Sequence, residues 1–373
     1  MQTLLLVLAL LFTAVHGSAQ TQVAGRPSVV LDGKSAQVVI DLLGGSIAGF
    51  QFQDQRLNPL VWNNEGDPSQ ARSMSHFVCL DRWGPPSDAE RLNGMTNHGE
   101  AATVPWKLLN GPAQSINGRD EKNGRVHAEM EVTLPMAGLH LKRNITLAAG
   151  KALFTVSEVV TNQNKLGRVY NMVQHPTVGP PFLDETTLVD SNARKGFMQS
   201  SPLPNPEEPS VVWPQALKDG QPVNMRRLSD DPDPNVVSYT IDQEYGWATA
   251  ATPAKGLLIG YIWKTEEYPW LNMWRHVDKG KPLARGLEFG TTGLHQPFPI
   301  LIEKGRIFGR QILAHIDTGE SVSKSYAAFL FKIPSDYRGV ASVRYAGGRL
   351  TLHERETGPE RDLEMETGEL FPE

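Results

Sequence analysis

Period-two alternation, repeated in short runs between turn residues, constrains this chain more than any other feature of its sequence. His127-Ala128-Glu129-Met130-Glu131-Val132 and Leu139-His140-Leu141-Lys142-Arg143-Asn144-Ile145 carry apolar side chains at every second position. Successive side chains of an extended strand point to opposite faces, so these runs predict strands with one buried face. Residues 153–160 follow the turn Ala149-Gly150-Lys151 with a strand-like run of their own, and residues 28–33 and 36–41 form two more with a Gly-Lys-Ser turn between them. Such short connections favour antiparallel hairpins. Long helical periodicity is scarce, and 34 Gly and 27 Pro are spread along the chain, which suits many strands and many loops.

The fold expected is therefore all-β, a large antiparallel β-sandwich forming one domain over residues 20–353. Residues 202–234, rich in Pro, Asp and Asn, read as a long surface excursion within that domain, because strand patterns resume at Val236. A Gly347-Gly348 turn joins a C-terminal hairpin. Residues 354–373 form a charged tail, expected to be solvated or partly disordered.

Residues 1–19 read as a secretory signal peptide: an apolar run from Leu4 to Val15, then His16-Gly17-Ser18-Ala19. The run falls short of the roughly 20 residues that span a bilayer as a helix, so no membrane span is expected. The expected location is the periplasm or the extracellular space. Cys79 is the only cysteine, so no intramolecular disulfide can form, and its expected role is a small buried apolar residue. Net charge is −5 with no basic run, which argues against a nucleic-acid partner.

Three segments carry the candidate chemistry. His175 follows the strand-like run Val169-Tyr170-Asn171-Met172-Val173 and precedes Pro176. Proline has no N–H to give a ladder, so His175 is expected at a sheet rim or cleft mouth. Imidazole titrates near ~6.5 and can donate a proton near neutrality. Glu288 stands between Leu287 and Phe289 in a glycine-flanked run, where partial desolvation would raise its pKa and make it a better base. His98 lies in the loop Asn97-His98-Gly99-Glu100 ahead of Pro105-Trp106. Its spacing to Glu100 has no compact second ligand pair, and a His-Glu-x-x-His helix is absent, so no metal is expected. Tyr261, Trp263, Tyr268, Trp270 and Trp274 gather ahead of Glu288, and such rings stack on the apolar faces of sugars. Taken singly, each residue also fits a plainer role: a histidine at a strand end, a solvated loop histidine, an outward glutamate, core aromatics.

Their shared order resembles the aldose 1-epimerase, or galactose mutarotase-like, family: His-Gly-Glu-Ala, then His-Pro-x-x-Gly, then a Glu in a Gly/Thr-rich strand. Gly44-Gly45-Ser46-Ile47 is similar to its early strand pair. Arg143–Leu147 with Val156–Asn162 is similar to its central hairpin, and Leu313–Ser321 to the turn before its last core strand. The resemblance runs from Val38 to Phe331. It implies a supersandwich whose concave face holds a monosaccharide or modified sugar, with no metal or organic cofactor. By that likeness His175 is the general acid for the ring oxygen and Glu288 the base on the anomeric hydroxyl. His98 and Arg82 bind and orient the sugar, with Trp274 among the stacking aromatics. The family often has proline after its glutamate, where this chain has Phe289, and a further sugar-binding Asp has two candidates, Asp190 and Asp242. The alternative is a carbohydrate-binding protein on the same fold without turnover. A polysaccharide lyase or hydrolase is a third reading; a hydrolase needs two carboxylates flanking one bond, for which the sequence offers Glu100 and Glu288.

Overall fold

The computed structural model describes residues 21–112, 124–227 and 235–371. The expected signal peptide lies outside them. Among the described residues, two large antiparallel sheets stack face to face, one of twelve strands and one of eight. The alternating runs are their strands. Arg125–Leu134, Leu139–Ala148 and Leu153–Asn162 pair in succession within the eight-stranded sheet. The first turn closes through Gly138, whose φ is +63°; a side chain there would also collide with that of Asn164.

Inward residues of the two sheets meet in one core. Val29, Val38, Ile40 and Phe50 come from one sheet, and Leu141, Ile145, Phe154 and Val156 from the other. Phe50 and Phe154 touch across the interface edge to face, with ring centroids 4.8 Å apart. Burying each such side chain contributes ~1.5–3 kcal/mol, so the stacking of the sheets follows from the alternation that made the strands. A buried polar bridge also crosses the interface. Arg143 pairs with Glu158 at 2.7 Å through Nε and donates to the Gly45 carbonyl, while Gln174 donates to Glu158 at 2.6 Å.

One expectation about the chain's periphery changes. The stretch from Glu354 onward does not behave as a solvated tail. Glu354 is buried and paired with Arg361 at 2.7 Å, and Leu363–Glu366 joins a three-stranded sheet with Val340–Ala346 and Arg349–Glu354. Leu350, Leu352, Leu370 and Phe371 cover Trp247, Leu258 and Phe329 on the outer face of the eight-stranded sheet. Without them those apolar side chains would face water, which is why a charged-looking segment stays attached. The described part of the 202–234 excursion contains a hairpin of Gln215–Lys218 with Gln221–Asn224. No helix among the described residues is long and apolar enough to cross a membrane.

Candidate active site

In the twelve-stranded sheet, His76–Asp81, Arg168–Val178, Lys281–Gly290 and Trp270–Asp278 lie side by side. Phe77 pairs with His175, and Asn272 with Glu288. Gln174 pairs with Phe289 and Thr177 with Gly286, a register that puts Glu288 directly opposite His175. Phe77, His175, Glu288 and Asn272 thus form one row across four strands, and Ser238 extends it to a fifth. Period-two alternation places this row on the outer face of the sheet.

The histidine is not at a strand end. Its strand runs through Pro176 to Val178, and Thr177 donates its N–H to the Ser75 carbonyl at 3.0 Å. Pro176 falls where bridging to the Glu288 strand is interrupted, between the Gln174 and Thr177 pairs, so its missing donor is tolerated in the middle of a sheet.

His175 Nε2 lies 3.2 Å from Glu288 Oε1. Trp83 Nε1 donates to the other carboxyl oxygen, Oε2, at 2.7 Å. Phe77 stacks on the imidazole with centroids 4.3 Å apart. Both groups are almost wholly buried, and burial dominates their protonation. The Glu288 carboxyl is pushed up to about 8 by desolvation, partly offset by the Trp83 hydrogen bond. Desolvation pushes the His175 imidazole down to about 3. Nδ1 of His175 is 2.9 Å from the Thr177 hydroxyl, which also lies within 3.5 Å of the His175 carbonyl. If Thr177 donates to that carbonyl, Nδ1 keeps its hydrogen, and Nε2 and Oε1 hold a single proton between them. Low polarity favours the uncharged arrangement of that proton, on the carboxyl.

His98 joins this pair from its loop. Its φ is +65°, and the following Gly99, at φ +78°, leaves no room for a Cβ against the Leu80 carbonyl. The tight turn sets the His98 ring edge-on to His175, centroids 5.6 Å apart. Gly84 donates its N–H to His98 Nδ1 at 3.3 Å, so the neutral ring carries its hydrogen on Nε2. Burial, then the neighbouring histidines, hold its pKa well below the ordinary value. Trp274 is half-buried, its ring 6.2 Å from that of His175.

Arg82 does not join them. Its neighbour Trp83 takes the cleft side, and the Arg82 guanidinium is held by Asp81 at 3.0 Å and Glu90 at 2.9 Å, over the Phe298 ring. Tyr261, Trp263, Tyr268 and Trp270 belong to the buried core, so Trp274 alone of that aromatic group reaches the cleft. Phe289 stacks on Trp263 at 4.2 Å on the core side. Glu100 accepts the Met136 and Ala137 N–H groups and supports a turn. Asp190 is paired with Arg226 and Arg355, and Asp242 with Arg310. None of these three acids meets the His175–Glu288 pair. Cys79 is buried between Phe77 and Trp83, with its thiol pKa raised well above the ordinary value by burial.

A family model described as a domain of unknown function, DUF4432, matches residues 78–298, more than half of the chain. The chain belongs to this family. The span matched contains His98, His175 and Glu288. No curated protein matches the DUF4432 chain. Among solved structures, a candidate aldose 1-epimerase of Escherichia coli K12 is 18% identical, with 82% of this chain and 99% of that one covered and a TM-score of 0.56. A galactose mutarotase-like protein of Clostridium acetobutylicum is 12% identical, covering 84% and 98%, also at 0.56. The Slr1438 protein of Synechocystis sp. PCC 6803 is 16% identical, covering 82% and 96%, at 0.57. At these identities the likeness establishes the fold, which is galactose mutarotase-like.

Three residues of the DUF4432 site were missed by sequence reasoning. Trp83 adjoins Arg82, and its indole N–H holds the carboxyl. Trp62, half-buried, stands edge to face with Trp274 at 5.4 Å and lies over His175 at 6.2 Å. His295 follows Glu288 closely in sequence, and its ring is 5.3 Å from that of His98 and 4.8 Å from that of Trp83. Trp83 and His295 lie close in sequence to Arg82 and Glu288, which is the signal the sequence holds for them, whereas Trp62 has no such neighbour. Among the described residues, no group of three or more His, Cys, Asp and Glu side chains has the geometry to hold a metal ion.

Proposed function

We propose that the DUF4432 chain is a sugar isomerase of the aldose 1-epimerase type, acting through His175 and Glu288. The observation that carries this reading is their direct approach, 3.2 Å from Nε2 to Oε1, on the cleft face. Opening a sugar hemiacetal needs a proton delivered to the ring oxygen and one removed from the anomeric hydroxyl. Both oxygens sit on the same carbon, so acid and base must be close neighbours. A pair sharing one proton supplies both roles at once: with the proton on the carboxyl, Glu288 is the acid and His175 the base in ring opening, the reverse of the roles the family resemblance implies. After the C1–C2 bond rotates, the aldehyde recloses from its other face and the proton returns.

The surroundings support the same reading. Trp62 and Trp274 form an apolar wall beside His175, suited to the carbon face of a sugar ring. His98, with its hydrogen on Nε2, offers a donor to a hydroxyl. Positioned acid and base groups each contribute roughly 10²–10⁴-fold. Glu288→Gln and His175→Asn are therefore expected to lower the rate of anomer interconversion by about those factors, with both variants folded by circular dichroism. Polarimetry on freshly dissolved α-D-glucose and α-D-galactose measures this. Equal rates for all three proteins would remove the catalytic assignment, and binding without interconversion by the wild type would favour a carbohydrate-binding role.

A further inference from the structure

His295 is part of no expected catalytic set, yet the fold holds it in place with care. Its backbone N–H donates to Gln199 Oε1 at 2.9 Å, and Gln199 is itself held by the Ser238 hydroxyl and the Gly293 carbonyl, each at 2.7 Å. Ser238 donates to Asn272, which pairs with Glu288 across the strands. The brace of His295 is thus continuous with the row that carries the proton-sharing pair. On its other side, Gly84 has a φ of +112°, and a Cβ there would lie 3.1 Å from the His295 backbone. The same glycine bonds His98 through both its N–H and its carbonyl. One residue therefore sets the spacing of both rings.

The His295 ring itself is treated differently. It packs edge-on to Trp83 and near His98, but it makes no hydrogen bond to another residue among the described ones. Even with one ring nitrogen turned to its own carbonyl, the other is left for a ligand. His98 is in a similar state, with Nδ1 engaged and Nε2 open. A half-buried ring without polar partners, on a firmly braced backbone, is the form expected of a residue whose partner arrives with the substrate. Burial keeps this imidazole neutral, its pKa lowered to about 4, so what it offers is one hydrogen-bonding group suited to an uncharged hydroxyl.

We propose that His295 is a substrate-contacting residue, binding one sugar hydroxyl away from the anomeric carbon and so setting which sugar the cleft accepts. This rests on the sugar-isomerase reading above. His175, His98 and His295 form an arc, with neighbouring rings 5.6 and 5.3 Å apart. The first handles the anomeric centre, and the other two read hydroxyls progressively further around the ring. A site built to bond a hydroxyl discriminates against the analogue lacking it, because its own polar group is then left without a partner.

The test compares wild type, His295→Phe and His295→Asn on D-glucose, D-galactose and their monodeoxy forms. Anomer exchange is followed by NMR and binding by calorimetry. Phenylalanine keeps the packing on Trp83 and removes the hydrogen bond. Asparagine restores a polar group. With His295→Phe, KM for the preferred sugar should rise ~10–100-fold while kcat stays within about threefold. One monodeoxy sugar should be as poor for wild type as the parent is for His295→Phe, with no further loss when the two changes are combined. His295→Asn should recover part of the affinity. Unchanged KM in His295→Phe, or an equal loss on every analogue, would overturn the proposal while leaving the isomerase reading intact. Sugar binding that depends on His295 without anomer exchange would do the reverse. Absence of both binding and exchange in the wild type would overturn both.

Discussion

At the scale of single residues, the decisive contact is the one Trp83 makes with Glu288. The indole N–H stabilises the ionised carboxylate, opposing the desolvation that raises its pKa to about 8. Removing that donor while keeping an aromatic ring, as in Trp83→Phe, should raise the Glu288 pKa further. The proton-sharing pair is competent while it holds one proton and loses competence when that proton leaves. The alkaline limb of the rate profile is therefore expected above pH 8 in the wild type and at higher pH in Trp83→Phe. Rates measured from pH 6 to 10 on both proteins check this, and a limb that stays put or moves to lower pH would contradict it.

At the scale of elements, strand register does what sequence spacing cannot display. His175 and Glu288 were legible as candidates because each stood in a local pattern of its own. Their contact arises only from pairing strands more than a hundred residues apart. Two expectations at the site fail for physical reasons. Pro176 was read as ending a ladder, but the missing N–H falls at a gap in the bridging. The likeness puts Arg82 in the cleft, but Asp81 and Glu90 hold its guanidinium elsewhere, and Trp83 is the residue that reaches Glu288. The alternating strands were legible because their period is local. The buried bridge of Arg143, Glu158 and Gln174 was not, since its members come from both sheets. Arg143→Met should destabilise the protein by about 3–5 kcal/mol, because it leaves the Glu158 charge buried with Gln174 as its remaining donor. Urea unfolding measures it, and a change below about 1 kcal/mol would show that the bridge carries little stability.

At the scale of the whole molecule, the sandwich holds four histidines neutral, His76 and His175 buried and His98 and His295 half-buried at the cleft. Burial lowers His76 and His175 to about 3, His295 to about 4 and His98 well below its ordinary value. In the unfolded chain each takes up a proton as pH falls through ~6.5, whereas in the folded chain none does until far lower pH. The unfolded state thus binds more protons over this window, and stability falls as pH drops from 6.5 towards 4. Glu288 acts in the opposite sense. Its folded pKa is raised, so its contribution is full below its unfolded pKa and is lost as pH rises to about 8. Glu267, raised by its burial, acts in the same sense as Glu288, but four histidines outweigh these two carboxyls, so the net change between pH 6 and 5 keeps the histidines' sign. Urea midpoints should fall steeply over that range, and a flat or rising trend would contradict the buried neutral set.

The central claim, that His175 and Glu288 share the proton that opens a sugar ring, is tested most directly by the pH dependence of anomer exchange. NMR magnetisation transfer on D-galactose and D-glucose should show catalysed exchange that holds through neutral pH and declines above pH 8 in the wild type. Glu288→Gln should lose both the catalysis and that decline. Exchange at the rate of buffer alone in the wild type, or an undiminished rate in Glu288→Gln, would contradict the account.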